Sequence, residues 1–336
     1  MFFGDNAQGK TNALEAVWLL STLKPLRGHR VRDLIAWDGE DAAVSCLVHG
    51  EDISRRLKVT LGPGGRRTEV DGRRSELQEY FAAIRAIAFV PADAAIVDSE
   101  PLNRRRWLDR AAFTRAPAHL TAVRRFSRCL QQKASALRQG ASTGVLDALD
   151  EAFAQAGAEL AERRQRTLLE LAPHVSGVHR ELAGRPVDVG LSYRTSAAGD
   201  GLAERTSALR VRLAESRPKE VERRRCLVGP QSDDVRFTLD GKPTRKFGSR
   251  GQVRSLVLAL KLSELLAARE RGEAPLFLLD DVSSELDRAR TARLVALLAD
   301  LRTQVFASTT APEHMDGLPA QDTLRIRVRS GAFETD

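Results

Sequence analysis

The chain has 336 residues, of which 42% are hydrophobic and 29% charged, a composition typical of a folded protein with an ordinary core. It contains no uninterrupted apolar stretch of about 18 residues and no signal peptide, and its three cysteines are isolated, so we expect a cytoplasmic protein with reduced thiols. The formal net charge is +8 and 45 of the 53 basic residues are arginine, which favours a polyanionic partner, although a genomic bias could also produce this excess.

The first predicted element is a phosphate-binding loop at residues 4–11, whose sequence G-D-N-A-Q-G-K-T matches the full pattern G-x-x-x-x-G-K-T. The backbone N–H groups of such a loop surround phosphate oxygens, and its glycines adopt torsions that other residues avoid. Lys10 is expected to reach the β- and γ-phosphates of a nucleotide, and the Thr11 hydroxyl to take one position on Mg²⁺. The predicted nucleotide-binding residues are Gly4, Asp5, Asn6, Ala7, Gln8, Gly9, Lys10, Thr11 and Asn12.

A helix is expected to follow the loop at residues 12–24, because apolar residues such as Leu14 and Trp18 recur at helical spacing. The dipole of this helix would add to phosphate binding at its N-terminus. Only residues 1–3 precede the loop, whereas the strand before such a loop normally has about five residues. We therefore expect the chain to begin inside this strand, without the earlier strands of its sheet.

The next segment, residues 43–70, predicts a small antiparallel sheet beside the nucleotide core. Apolar residues from Leu57 to Leu61 alternate with polar ones, and a turn signal lies at residues 63–65. A further buried strand is predicted at residues 86–90 because the apolar run there ends at a proline.

Residues 101–182 predict a long helical stretch, because Ala, Leu, Gln, Glu and Arg dominate the composition. Breaks in this stretch are expected near Pro117, at residues 140–144 and near Pro173. An apolar stripe on a helix is more often core than partner-binding surface, and we interpret the stripe in this stretch as core. It consists of Leu146, Leu149, Phe153, Ala156 and Leu160.

The rest of the chain returns to strand patterns around one strong helix. Strands are predicted at residues 188–193, 227–228, 235–239, 276–279 and 304–308, and the helix at residues 251–271. Finally, Leu324, Ile326 and Val328 alternate with arginines, which predicts an edge strand with its arginines facing outward.

Two carboxylates, Asp280 and Asp281, follow the apolar strand at residues 276–279. A carboxylate at the end of a buried strand beside the loop strand is where Mg²⁺ takes its second protein contact. Asp280 is therefore expected to hold the metal, directly or through water, and Asp281 to orient or deprotonate the attacking water. A structural alternative is a helix cap, since Ser-Ser-Glu at residues 283–285 could begin a helix.

Residues 249–252 have the sequence S-R-G-Q, open the predicted helix and resemble the S-G-G-Q signature of ABC-type ATPases. In ABC-type heads this loop completes the nucleotide site of a second subunit. The sequence S-E-L-D at residues 284–287 lies where those proteins carry the loop that joins the two sites. The resemblance predicts contacts across a subunit interface from Ser249, Arg250, Gly251, Gln252 and Asp287.

These motifs in this order, together with two others, resemble the RecF family of recombination proteins over essentially the whole chain. The two others are P-x-x-R-R-x-W-L-D at residues 101–109 and G-P-Q-x-D-D at residues 229–234. The chain departs from the family pattern at residues 99–101, where smaller residues are usual, and at Trp107, where Phe or Tyr is usual. Ser-Thr-Thr at residues 308–310 stands where ABC-type proteins carry a switch histidine.

The resemblance implies an α/β fold, namely an ABC-type P-loop ATPase head with a small antiparallel β subdomain and an inserted, mainly helical lobe. The head would comprise residues 1–100 and 225–336, and the lobe residues 101–224. ATP and Mg²⁺ are the implied cofactors. The resemblance also implies a homodimer that forms on ATP and a slow, DNA-stimulated hydrolysis that depends on Lys10 and Asp281.

The function implied by the resemblance is that of a recombination mediator, which helps to load recombinase at gapped single-strand/double-strand DNA during repair and replication restart. RecO and RecR proteins are the implied partners. DNA would be bound through its phosphates and largely without sequence preference. The candidate DNA contacts are Arg104, Arg105, Arg124 and Arg125, whose alternative roles are in solvated helix faces or internal ion pairs.

Two other functions deserve comparison with this one. A structural head of the SMC type would need long coiled-coil arms, but only 270 residues separate Lys10 from Asp280 and no heptad pattern is sustained between them. A P-loop kinase that phosphorylates a small molecule would leave the S-R-G-Q and S-E-L-D sequences without a role. Both alternatives are therefore less well supported by the sequence.

Overall fold

The computed structural model describes residues 1–27, 30–50, 53–281, 286–301, 303–315 and 317–335. The chain divides into two compact units. The first contains Met1–Ala94, Gly177–Val187 and Ser249–Asp336, and the second contains Ala95–Ser176 and Asp188–Gly248. Within the described ranges the α-helices are α1 (Lys10–Thr22), α2 (Leu77–Ala83), α3 (Ala95–Asp98), α4 (Pro101–Arg115), α5 (His119–Gln139), α6 (Thr143–Ala183), α7 (Leu202–Arg223), α8 (Thr244–Phe247), α9 (Arg250–Glu270) and α10 (Arg288–Leu301).

Thirteen strands in the described part of the chain form three sheets. They are β1 (Phe2–Phe3), β2 (Ala42–His49), β3 (Ser54–Gly62), β4 (Gly65–Val70), β5 (Arg73–Arg74), β6 (Ala86–Phe89), β7 (Val189–Arg194), β8 (Asp234–Leu239), β9 (Lys242–Pro243), β10 (Leu276–Leu279), β11 (Val305–Thr309), β12 (Ile326–Arg329) and β13 (Ala332–Thr335). The mixture of a largely parallel sheet with antiparallel sheets and helices confirms the predicted α/β class.

The first unit is built on a six-stranded sheet with the order β13-β12-β1-β11-β10-β6. All neighbours are parallel except β13, which pairs antiparallel with β12. Helix α1 packs Leu14 and Trp18 onto this sheet against Phe2 and Leu278, so the predicted helix after the loop is confirmed and its apolar face is core. Burial of these side chains stabilises the position of β1, the strand before the loop, inside the sheet.

Two expectations about strand order are wrong. The strand that ends at Asp280, β10, does not lie beside β1, because β11 pairs in parallel with both and separates them. The last alternating pattern, β12, is not an edge strand, because β13 covers its outer side. Sequence periodicity reports which face of a strand is buried but does not report its neighbours.

The small antiparallel sheet predicted in the first unit is confirmed. Strands β2 to β5 follow one another in the order of the chain, and Leu57, Val59 and Leu61 on β3 are buried. In the second unit, β7, β8 and β9 form another antiparallel sheet. The pairing of β7 with β8 places residues 225–248 in the second unit, although the predicted boundary assigns them to the head.

The break expected near Pro173 does not occur, and α6 runs continuously from Thr143 to Ala183. A proline inside a helix costs about 3 kcal/mol, because it removes a backbone hydrogen bond. Here Leu168, Leu171 and Val175 are buried on both sides of the proline, and their packing offsets this cost. The predicted apolar stripe is also core, since Phe153, Ala156 and Leu160 share a buried cluster with Phe126.

The short strand expected at residues 227–228 is absent from the described structure. The backbone N–H groups of Leu227 and Val228 donate to Glu220 Oε1 at 2.6 and 3.3 Å instead of joining a sheet. Glu220 lies in the last turn of α7, a helix that the sequence analysis does not place. A buried carboxylate that caps the chain after a helix therefore replaces strand pairing here.

The two family motifs at residues 101–109 and 229–234 meet in a network of ion pairs inside the second unit. Arg104 is only 4% exposed, and its guanidinium donates to the two carboxylate oxygens of Asp234 at 2.6 and 3.2 Å. Arg105 donates to the carbonyl oxygen of Asp233 at 2.7 Å. These arginines therefore join α4 to β8 and the turn before it.

Asp109 is the centre of the second part of this network. Arg164 donates to its two oxygens at 2.8 and 2.9 Å, and His119 Nε2 lies 3.0 Å from Oδ1. Burial opposes ionisation of Asp109, but the hydrogen bonds and charges of Arg164 and His119 outweigh it and lower the pKa to about 2. Arg164 also donates to the carbonyl oxygen of Pro230 at 2.8 Å, which ties α6 to the second motif.

The described helices include none that is both long enough and apolar enough to cross a bilayer.

Asp109 should make the stability of the chain depend on acid pH. Because the folded pKa of about 2 lies below the ordinary value of about 3.9, its contribution of about 2–3 kcal/mol is fully present above pH 4 and is lost as the pH falls towards 2. Asp109→Asn should lower the free energy of unfolding at pH 7 by about 3 kcal/mol, since the buried Arg164 loses its nearest carboxylate and keeps only the more distant one of Asp233. Urea unfolding measured at pH 7 and at pH 3 tests both effects.

Asp147→Asn is the matched control, because this carboxylate is 66% exposed in the same unit. It should change the unfolding free energy by less than about 1 kcal/mol at either pH. Equal pH dependence of the Asp109 and Asp147 variants would contradict the role given to Asp109.

Candidate nucleotide-binding site

The loop at residues 4–9 connects β1 to α1 through three residues with positive φ. These are Gly4 at 143°, Ala7 at 64° and Gly9 at 104°. A Cβ atom on Gly4 would lie 2.5 Å from the carbonyl oxygen of Val328, so no larger residue fits there without moving β12. The loop therefore owes its shape to glycines at the two positions that the motif fixes.

Lys10 is buried at the first position of α1, and its ammonium group turns back onto the loop. Nζ donates to the carbonyl oxygens of Gly4 and Asp5 at 2.7 and 2.8 Å. These two bonds hold the positive charge against the loop backbone, where the predicted phosphates would replace the carbonyls as partners.

The turn between β12 and β13 fixes the loop from the other side. Gln8 accepts the backbone N–H of Ser330 at its Oε1, at 2.7 Å, and the N–H of Gly331 at its carbonyl oxygen, at 2.9 Å. The sequence motif leaves the position of Gln8 unspecified. Its supporting role could not be predicted, because the partner turn is more than 300 residues away along the chain.

Thr11 and Asp280, the two predicted magnesium ligands, lie together. The Thr11 hydroxyl donates to Asp280 Oδ1 at 2.9 Å, and Asp280 is only 1% exposed. Ser308 lies near the end of β11, the strand between β1 and β10. Its hydroxyl also donates to Asp280 Oδ1, at 2.8 Å. Its hydroxyl oxygen accepts the backbone N–H of Asp281 at 2.9 Å. Strand β11 thus supplies the Ser308 hydroxyl, which links the Asp280 carboxylate to the backbone of Asp281.

Asp281 has a positive φ of 53°, which places it in a turn directly after β10. Aspartate and asparagine tolerate this conformation better than most residues do. The structure places the Asp281 backbone beside Ser308, at the same edge of the sheet as Thr11. This position is compatible with the predicted role in orienting water.

Among the described residues, Arg27 is a charged residue of the site that the sequence analysis does not identify. Its Nη2 donates to Thr11 Oγ1 at 3.0 Å and to Asp280 Oδ2 at 2.8 Å, while its side chain is 48% exposed. Arg27 belongs to no motif and lies beyond the end of α1, so only the path of the folded chain brings it to the carboxylate.

The residues of this site fit a magnesium ion and the phosphates of a nucleotide. One threonine hydroxyl and one carboxylate are the protein ligands that Mg²⁺ usually takes, with water and phosphate oxygens completing its shell. No group of three metal-binding side chains of the His, Cys, Asp or Glu type occurs in the described ranges. The guanidinium of Arg27 stands between the same two oxygens, which shows that the position accommodates a cation.

The S-R-G-Q residues form the start of α9. Ser249 Oγ accepts the N–H of Gln252 at 3.3 Å, and Gln252 Oε1 accepts the N–H of Ser249 at 2.8 Å, which is a reciprocal helix cap. Ser249 and Arg250 are exposed, and a Cβ atom on Gly251 would lie 3.0 Å from Arg290 Nη1. The start of this helix is therefore exposed, and its contact with a second subunit stays a prediction.

Asp287 caps α10 in a similar manner. Its Oδ1 accepts the N–H of Arg290 at 2.8 Å, and its Oδ2 lies 3.1 Å from the Arg290 guanidinium. The predicted helix cap at residues 283–285, together with the Ser and Glu of S-E-L-D, lies outside the described residues.

The four candidate DNA contacts differ in their surroundings. Arg104 forms an internal ion pair with Asp234, the role given above as its alternative, and Arg105 donates to the backbone carbonyl of Asp233 in the same unit. Arg124 and Arg125 are exposed on α5, and Arg125 has one weak partner, Glu159, at 3.4 Å. Arg124 and Arg125 are thus the exposed members of the four.

Comparison with known proteins gives a consistent result. Residues 1–333 match the family described as the RecF/RecN/SMC N terminal domain. The DNA replication and repair protein RecF of Myxococcus xanthus (strain DK1622) is 40% identical over 338 residues, which cover 98% of this chain and 89% of that protein. RecF of Geobacter sulfurreducens is 36% identical over 329 residues, which cover 96% of this chain and 90% of that protein.

Solved structures agree with the sequence relatives. The recombination mediator protein RecF-ATPrS in the RecFOR pathway has a TM-score of 0.88 and 27% identity, and the match covers 99% of this chain and 91% of that chain. The RecF-ATP structure has a TM-score of 0.86 and 26% identity, and the match covers 100% of this chain and 90% of that chain. The Smc head bound to the C-winged helix domain of ScpA has a TM-score of 0.55 at 15% identity, and the match covers 100% of this chain and 88% of that chain. At this low identity the match shows a shared ATPase-head fold and nothing further.

Proposed function

Because the chain belongs to the RecF family, we propose that it is an ATP-dependent DNA-binding protein that helps to load recombinase at gapped single-strand/double-strand DNA during repair and replication restart. Its place of action is the cytoplasm. The observation that carries the proposal is the junction of Thr11, Asp280 and Ser308 at the end of the phosphate-binding loop. This junction joins the two halves of an ATPase site that lie at opposite ends of the chain.

The proposed cofactor is ATP with Mg²⁺, bound at residues 4–12. The RecF structures named above include one with ATP, and the shape of the loop in this chain supports the same ligand. Lys10 would neutralise the β- and γ-phosphates, and Thr11 and Asp280 would hold the metal. When bound, Mg²⁺ would neutralise phosphate charge that develops during hydrolysis. Asp281 would orient the attacking water and accept its proton.

The proposed DNA surface involves Arg124 and Arg125 on α5. The net charge of +8 supports binding of a polyanion, and exposed arginines bind phosphate oxygens through paired N–H donors. Arg104 and Arg105 are omitted from this surface, because their guanidinium groups hold the second unit together. The contacts would involve phosphates, so we expect little preference for sequence.

The proposed assembly is a homodimer that forms on ATP. The exposed helix start at Ser249 supports it, since a hydroxyl and backbone N–H groups there could meet the γ-phosphate held by a second copy. RecO and RecR proteins are the proposed partners, and the naming of RecFOR for the related solved structures supports them. The likeness to the Smc head is weaker than that to the RecF structures and concerns the fold alone, so neither an SMC head nor a small-molecule kinase is proposed.

Lys10→Ala and Asp281→Asn should separate ATP binding from hydrolysis. Lys10→Ala removes the cation that faces the phosphates and should weaken ATP binding about 10- to 100-fold. Asp281→Asn keeps a residue that tolerates positive φ and should leave affinity within about threefold, while hydrolysis slows about 100-fold because the amide cannot accept a proton. Nucleotide titration and a phosphate-release assay measure the two effects. Weak ATP binding by Asp281→Asn would instead indicate a structural role.

Removal of the α5 arginines should change the salt dependence of DNA binding. Each lost phosphate contact lowers the slope of log affinity against log salt by about 0.9 on duplex DNA, so Arg124→Ala with Arg125→Ala should lower it by about 1.8. A second double variant, Arg212→Ala with Arg223→Ala on α7, removes the same charge from exposed positions in the same unit and serves as the control. Equal slopes for both double variants would argue against α5 as the DNA surface.

Ser249→Arg should abolish ATP-dependent dimerisation while ATP binding by one chain stays nearly intact. A bulky cation at this position would meet the nucleotide of the facing copy, and a symmetric dimer loses both sites at once. Ser249→Ala is the control, because it removes the helix cap without adding bulk and costs about 1 kcal/mol of helix stability. Size measurements with ATP should show dimers for Ser249→Ala and monomers for Ser249→Arg.

A mixture of Ser249→Arg and Lys10→Ala chains sharpens this experiment. Their heterodimer combines one site damaged twice with one intact site, so part of the dimerisation or hydrolysis should return. Dimerisation of Ser249→Arg at the level of the unchanged chain would show that residues 248–252 are only a helix cap.

A further inference from the structure

We propose that the guanidinium of Arg27 is a built-in cation that occupies the metal position of the nucleotide site and must be displaced by Mg²⁺ when the nucleotide binds. The inference rests on the proposed function of this site. It adds a device that raises the magnesium concentration needed for nucleotide binding. None of the sequence motifs contains Arg27, and the role follows from its contacts alone.

The contacts of Arg27 are those that a metal ion would need. Nη2 bridges Thr11 Oγ1 at 3.0 Å and Asp280 Oδ2 at 2.8 Å. Asp280 Oδ1 is already taken by the hydroxyls of Thr11 and Ser308, so Oδ2 is the oxygen that remains for a cation, and Arg27 holds it. The Thr11 hydroxyl donates its proton to Asp280 and accepts a hydrogen bond from Arg27, so its lone pairs face a cation.

Arginine and metal cannot share this position. Mg²⁺ binds oxygen at about 2.0–2.1 Å and demands nearly ideal octahedral geometry, which leaves no room for an N–H group between the same two oxygens. Two positive charges at such short range also repel strongly where the carboxylate is shielded from water. Mg²⁺ can therefore bind between these two oxygens only after the Arg27 guanidinium has left them.

The exposures of the two partners show which of them can leave. Arg27 is 48% exposed and can turn its charged end into water, whereas Asp280 is 1% exposed and is held by two hydroxyls. Guanidinium does not lose its proton in proteins, so displacement is the only means of removing its charge. Without metal, the ion pair satisfies a buried carboxylate that would otherwise be costly.

Competition of this kind reduces the apparent affinity of the site for Mg²⁺ by the fraction of chains in which Arg27 has left. Arg27→Ala should remove the competitor. Binding of a fluorescent ATP analogue to the full chain, measured over a range of Mg²⁺ concentrations, should show a midpoint about threefold to tenfold lower than that of the unchanged chain. Arg27→Lys, which keeps the charge but not the planar fork, should lie between the two.

Arg32→Ala is the matched control, because this exposed arginine follows Arg27 by five residues and makes none of the described contacts with the site. Its magnesium midpoint should equal that of the unchanged chain. An equal midpoint for Arg27→Ala would overturn the inference. Weaker nucleotide binding by Arg27→Ala at saturating Mg²⁺ would also overturn it, since Arg27 would then serve the nucleotide and not hold the metal position.

Failure of the proposed function has a different result, namely no nucleotide binding by the unchanged chain or by Arg27→Ala at any Mg²⁺ concentration. The inference is then decided by thermal unfolding without nucleotide. In magnesium-free buffer Arg27→Ala should unfold at a lower temperature than the unchanged chain, because the Asp280 carboxylate loses its cation. Added Mg²⁺ should recover that stability in the variant at concentrations that leave the unchanged chain unaffected, and no recovery would overturn the inference.

Discussion

The structure of the first unit depends on one buried carboxylate, that of Asp280. It is 1% exposed and must be compensated by hydrogen bonds and charge, because an unpaired ion in this environment is costly. Thr11 supplies a hydroxyl from the start of α1, Ser308 another from the end of β11, and Arg27 the opposite charge. Three segments that are distant in sequence are thereby fixed at one edge of the sheet. The phosphate-binding loop takes its position from the same edge.

A related constraint holds the second unit, where two buried arginines and their half-buried carboxylate partners connect segments that are far apart in sequence. Asp109 joins α4 to α6 through Arg164, and Asp234 joins α4 to β8 through Arg104. Arg104, Asp109 and Asp234 belong to the motifs by which the chain resembles RecF, yet in the structure they stabilise the fold. A charged residue in a family motif is therefore not by itself evidence of a contact with ligand or DNA. Arg124 and Arg125 on α5 are the better candidates because their side chains are exposed.

The elements that could be predicted from the sequence are those specified by local patterns. The loop at residues 4–11, the helix after it and the strand before Asp280 each have a local signal, and the structure contains all three. The order of the strands had no such signal, because it depends on pairing between segments hundreds of residues apart. Arg27 was missed for the same reason, since only the folded chain brings its guanidinium to Asp280. The break predicted at Pro173 failed because burial on both sides outweighs a local preference.

A crystal structure of the full chain with Mg²⁺ and a slowly hydrolysed ATP analogue tests the central claim most directly. The account predicts phosphates inside the loop at residues 4–11 and a metal about 2.1 Å from Thr11 Oγ1, with Asp280 beside it and the Arg27 guanidinium turned away. It also predicts a second copy of the chain whose Ser249 faces the γ-phosphate. A nucleotide bound outside this loop, or a metal held by residues other than Thr11 and Asp280, would contradict the account.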